Sequence, residues 1–102
     1  MTKYNKLIRS KVPEYLDSIE VPYKIHIATA DEYKKKLTEK LLEEAFEFAK
    51  EPLSKGELAD ILEVIEAIKE SNGWTTEEIE EIRLKKHAEK GGFDQPIILE
   101  ES

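Results

Sequence analysis

The sequence predicts a mainly α-helical fold, a helical bundle built on an antiparallel helix hairpin, with room for a small β element. Three observations predict it. Apolar residues recur at helical spacing through GELADILEVIEAI, residues 56 to 68. Signatures of the Ser/Thr-x-x-Glu type open three long segments, at Thr29, Ser54 and Thr75. Only a few residues around Pro52 separate the first two of these segments, and so short a turn folds two helices back against each other.

Taken in order, YNKLIR (4 to 9) has no clear period and reads as irregular chain. Pro13 suits the first turn of a short helix through EYLDSI. VPYKIHIAT (21 to 29) alternates Tyr23, Ile25 and Ile27 with Lys24, His26 and Ala28, the period of a short strand. Thr29 and Glu32 form a capping box for a helix that runs to about Glu51 and ends at Pro52. Ser54 and Glu57 open the next helix, which reaches Ser71 or Asn72 with Gly73 as its cap. Thr75 and Glu78 open the third. That helix begins with Glu77, Glu78, Glu80 and Glu81 and ends with Arg83, Lys85 and Lys86, a charge order that matches its dipole. Gly91 and Gly92 stop it. FDQPIILEE then reads as a closing strand, so that residues near 23–28 pair with residues near 96–100. No internal repeat or long linker divides the chain, and residues 1–102 are expected to form a single domain.

A chain of 102 residues with 39% apolar content folds around a small core. Helices apolar over more than one face then call for a second copy, as a homodimer or homotetramer. With no cysteine there is no disulfide, thiolate zinc site or cysteine nucleophile. No apolar run approaches the roughly 20 residues of a membrane span, and no signal-like block stands near the start. A cytoplasmic protein without a membrane partner is the expectation. The net charge of −7 argues against broad nucleic-acid binding, which draws its affinity from Lys and Arg on phosphate. Acid dominates residues 39 to 81, whereas basic residues cluster at 3 to 11 and 83 to 90. Such a layout suits a metal beside a phosphate, or simply well-solvated helix faces.

The carboxylates sharpen the choice. At about 100° per residue, Leu58, Ile61, Leu62, Val64, Ile65 and Ile68 form one apolar stripe. Glu57 falls inside it and Asp60 at its edge, while Glu63, Glu66 and Glu70 fall opposite. The preceding helix carries Glu43, Glu44 and Glu47 within LLEEAFEFAK. Glu44 and Glu47 are helix neighbours, as are Glu57 and Asp60. Both pairs are centred on Pro52, so with a rise of about 1.5 Å per residue Glu44 lies level with Asp60 and Glu47 with Glu57. Four such acids repel one another, and burial penalises each charge further. A hard divalent cation resolves the conflict: Mg²⁺, with Mn²⁺ as a substitute, held by Glu44, Glu47, Glu57 and Asp60. The competing reading leaves Glu43 and Glu47 in solvent and pairs Glu44 and Glu47 with Lys40 or Lys50. Glu47 lies further round its helix than Glu44 from the stripe of Leu37, Leu41, Ala45 and Phe48. Carboxylate-bridged iron or manganese bundles need Glu-x-x-His pairs, which neither His26 nor His87 supplies.

The E-x-x-E of Glu44 and Glu47, followed by the E-x-x-D of Glu57 and Asp60, resembles the metal motif of the all-α nucleoside triphosphate pyrophosphohydrolases. That superfamily includes MazG, dimeric dUTPases and phosphoribosyl-ATP pyrophosphohydrolase. YNKLIRSKVPEYL is similar to the YNKLVRDKIP opening of its small stand-alone members, the phosphoribosyl-ATP pyrophosphohydrolase-like proteins. EKGGF at 89 to 93 resembles their R-G-G-F segment. The likeness runs from Tyr4 to about Leu99. Ser10 stands where those relatives carry Asp, Lys90 where they carry Arg, and the spacer of nine residues between Glu47 and Glu57 is short.

The resemblance implies Mg²⁺-dependent hydrolysis of a nucleoside triphosphate or related nucleotide between its α- and β-phosphates, giving a monophosphate and pyrophosphate. It implies a catalytic set of Glu43, Glu44, Glu47, Glu57 and Asp60, with the general base unassigned among them. Lys6, Arg9 and Lys11, and Arg83, Lys86 and Lys90, become candidates for phosphate contacts. Gly91 and Gly92 allow close approach of a phosphate or serve as a plain helix cap. Trp74 or Phe93 stacks on a base or belongs to the core. The alternative is a non-catalytic helical module for nucleotide binding or dimerisation.

Overall fold

The computed structural model describes residues 2–102 and contains four α-helices: α1 (Val12–Ser18), α2 (Ala30–Lys50), α3 (Lys55–Asn72) and α4 (Thr76–Lys90). Each long helix starts at its expected cap. Thr29 Oγ1 accepts from the Glu32 amide at 3.2 Å, Ser54 Oγ from the Glu57 amide at 3.2 Å, and Thr75 Oγ1 from the Glu78 amide at 3.1 Å. Only the third box closes reciprocally, with Glu78 Oε1 accepting from the Thr75 amide at 3.1 Å. Glu32 turns instead to His26, whose Nε2 lies 2.9 Å from its Oε1. Glu57 turns into the hairpin.

Gly73, at φ 68°, ends α3 in the left-handed region that a side chain disfavours. Its amide bonds Glu70 O at 3.2 Å and that of Trp74 bonds Lys69 O at 2.9 Å, the paired closure of a Schellman motif.

Helices α2 and α3 pack against each other as the expected hairpin. Their contact buries Leu37 (2% exposed) and Val64 (8%), with Leu41, Phe48, Ile61, Ile65 and Ile68 half-buried around them. Helix α4 does not complete a bundle within the chain, because it packs extensively on neither hairpin helix. Ile79 and Ile82 share one face of α4 but Leu84 does not, so it offers no continuous stripe to dock. What holds its root is Lys69, which is only 8% exposed, pairs with Glu66 at 2.6 Å and donates to Thr76 Oγ1 at 3.0 Å.

The small β element is not formed: among the described residues there is no strand, and residues 23–28 and 96–100 are irregular. Ile25, Ile27, Ile97 and Ile98 are all exposed, and a two-stranded ribbon with no layer beneath it is marginal in water.

The single chain is extended. Its radius of gyration is 17.7 Å, against about 13 Å for a compact domain of this length. Its accessible surface of 9329 Å² exceeds by roughly 3,400 Å² what a compact monomer of 11.8 kDa exposes. Part of the apolar surface lies on the hairpin helices and the rest on the irregular segments and α4. Leu42 and Phe46, one turn apart on α2, are 67% and 62% exposed, and Leu58 and Leu62, one turn apart on α3, are about half exposed. Among the described residues no helix is long and apolar enough to cross a membrane.

Candidate metal centre

The hairpin brings together three of the four acids expected to meet. Glu44 of α2 and Glu57 and Asp60 of α3 each offer a carboxylate oxygen, and these oxygens lie within 4.8 Å of one another. All three residues are half-buried. Glu44 and Asp60 face each other because the turn around Pro52 sets the register. Glu57 joins them one turn earlier in α3, at the third position of the helix, where its amide is already satisfied by Ser54. Glu47 stands beside this group, outside the three converging oxygens. It is more exposed and approaches Lys50 at 3.8 Å.

The electrostatics register the crowding. Partial burial, then the like charges of Asp60, Glu44, Glu47 and Glu51, push the Glu57 carboxyl above its ordinary range. Glu43 moves the other way. Lys6 Nζ donates to its Oε1 at 2.9 Å and Lys40 Nζ to its Oε2 at 3.1 Å, and these bonds hold its carboxyl below the ordinary range. Lys40 also approaches Glu44 Oε1 at 3.4 Å, so the pairing expected of Lys40 coexists with the cluster.

Two of the six basic candidates reach the acids. Lys6 lies on Glu43, and Arg9 Nη2 donates to Asp60 Oδ1 at 2.8 Å. Lys11 stands exposed at the N-terminal boundary of α1. Arg83, Lys86 and Lys90 are exposed on α4, which begins beyond the end of α3, roughly 18 Å of helix from Asp60. Arg83 is engaged by Glu80 on its own helix, which raises its pKa and lowers that of the glutamate. The glycines after α4 behave as a cap: Gly91, at φ 79°, donates to His87 O at 2.8 Å. Trp74 and Phe93 are both exposed.

Sequence reasoning missed the docking of residues 2–10 across the hairpin. Lys36 Nζ donates to Asn5 O at 2.7 Å, and Leu7 and Ile8 are half-buried. Arg9 and Asp60 are 51 residues apart, and no periodicity in YNKLIR announces their meeting.

Oxygen-only donors, three carboxylates within one ion's reach and a raised Glu57 fit a hard divalent cation. No protein-family model matches the chain, and neither a curated protein nor a solved structure matches it significantly.

Proposed function

We propose that the protein is a Mg²⁺-dependent nucleotide pyrophosphohydrolase of the all-α type, acting in the cytoplasm on a nucleoside triphosphate or related nucleotide. The convergence of Glu44, Glu57 and Asp60 carries this reading. Three like charges within one ion's reach repel one another; Arg9 on Asp60 and Lys40 near Glu44 offset part of that repulsion, and a divalent cation would offset the rest. Further support comes from the motifs around them, Tyr4 to Leu16 and Glu89 to Phe93, and from Lys6 and Arg9 lying beside the same acids.

In this reading Glu44, Glu57 and Asp60 hold the cation, Mg²⁺ or Mn²⁺. Bound there, the ion supplies Lewis-acid polarisation of the phosphates and a more acidic water. Lys6 and Arg9 meet the phosphate oxygens as charge-assisted donors. Glu43 is held in its anionic form by Lys6 and Lys40 and serves to position Lys6. Glu47, beside the three ligands and free of so close a partner, accepts the proton of the attacking water. The bond broken joins the α- and β-phosphates, and pyrophosphate leaves with the nucleoside monophosphate as the other product.

We also propose that the working form is a homodimer, with a homotetramer as its extension. A second hairpin seated on Leu42, Phe46, Leu58 and Leu62 would make a four-helix layer. Permanent partners each bury roughly 1,000–2,500 Å², which accounts for much of the surface excess.

The experiment is release of pyrophosphate and monophosphate from a panel of nucleoside triphosphates and phosphoribosyl-ATP, with Mg²⁺ and with EDTA, against Glu57→Ala. Mg²⁺-dependent turnover lost in the variant is expected. Folded protein that binds Mg²⁺ yet turns over none of the panel would favour the non-catalytic nucleotide-binding module instead.

A further inference from the structure

Residues 2–10 form neither helix nor strand, yet three polar ties lay them across the hairpin. Lys36 holds the Asn5 carbonyl at 2.7 Å, Lys6 reaches Glu43 at 2.9 Å, and Arg9 reaches Asp60 at 2.8 Å. Asn5 adopts φ 49°, a left-handed bend that asparagine tolerates better than most residues, and this bend turns the chain ahead of the two cations. The guanidinium therefore rests on one of the three converging carboxylates. Both members of that pair are substantially exposed, and exposed pairs are weakly held and easily exchanged.

A divalent cation and a guanidinium compete for Asp60, since each repels the other at contact distance while both are drawn to the same oxygens. We propose that Arg9, backed by Lys6, is a displaceable cationic strap: it neutralises the carboxylates until a divalent cation takes Asp60, and the expelled guanidinium then turns to the phosphates of the substrate. The proposal rests on the metal-site reading above and adds its regulation. Cation loading and phosphate binding become coupled beyond any direct contact between the two ligands. Each binds better when the other is present, because the cation releases the donor that the anion needs.

The test uses the full chain and the metal alone. Mn²⁺ affinity is measured by calorimetry for the wild type, Arg9→Gln, Arg9→Lys and Lys3→Gln. Lys3 makes none of the three ties and carries the same charge in the same segment, so it controls for long-range electrostatics. Arg9→Gln is expected to bind Mn²⁺ about 2- to 5-fold more tightly than the wild type, the gain from removing a competing exposed pair. Arg9→Lys should stay near the wild type, and Lys3→Gln should move by less than about twofold. The ¹⁵N–¹H Nε resonance of Arg9 should shift on titration with diamagnetic Mg²⁺, reporting its departure from Asp60.

Equal affinity in Arg9→Gln and Lys3→Gln, or an unmoved Arg9 resonance while Mg²⁺ binds, overturns the strap. Metal binding by neither the wild type nor Arg9→Gln overturns the strap and the metal site together. The expected affinities without turnover on any nucleotide uphold the strap and remove only the hydrolase reading. Melting curves of every variant establish that it is folded.

Discussion

Phe46→Ser tests whether the outer face of the hairpin is covered by a second copy. Phe46 is 62% exposed, and an aromatic side chain buries roughly 200 Å² when fully enclosed, so about 120 Å² is left for a partner to cover. At about 25 cal/mol per Å² that is about 3 kcal/mol per copy. A twofold interface contains the residue twice, and about 6 kcal/mol corresponds to roughly 10⁴ in the dissociation constant. Sedimentation velocity over a wide loading series should show a dimer for the wild type and a monomer for Phe46→Ser at the same loading. Ile27→Ser, at a more exposed position outside the hairpin, should leave the assembly intact. A wild type that sediments as a monomer throughout, or a variant that associates as tightly, would refute the argument.

Two further outcomes follow from the hairpin itself. Leu37→Ala removes the most buried apolar side chain and should cost about 2–5 kcal/mol, seen as a melting point lower by about 10 °C or more; a shift of a degree or two would mean that the α2–α3 contact is not what holds the fold. Glu57→Gln should raise the melting point of the metal-free protein at neutral pH. The Glu57 carboxyl lies above its ordinary range in the folded state, so the folded state favours its protonated form. The contribution of Glu57 to stability is therefore most favourable below the unfolded-state value and is lost as pH rises through the raised one. The advantage of the glutamine should shrink as pH drops into the ordinary carboxylate range, and Mg²⁺ should stabilise the wild type but not the variant. A glutamine variant less stable than the wild type at neutral pH would show that the acids are not in conflict.

Much of this was legible in the sequence because helix physics is local. The caps at Thr29, Ser54 and Thr75 need only a side chain and an amide three residues on, and Gly73 needs only its own backbone freedom. The meeting of Glu44 with Asp60 was legible too, since a short turn at Pro52 leaves two regular helices one register. Tertiary structure decided the rest. Whether Glu47 joins its neighbours depends on a rotation of α2 about its axis, set by which apolar residues α3 covers. The alternation at 23–28 suggested a strand, but a strand needs a layer beneath it, and among the described residues none covers Ile25 or Ile27. Arg9 meets Asp60 across most of the hairpin because an irregular segment happens to cross it, and no period encodes such a crossing. Composition limited the core to a small one. Only the packing showed that two helices, Leu37 and Val64 at their contact, form nearly all of it, with the remaining apolar faces left for another surface.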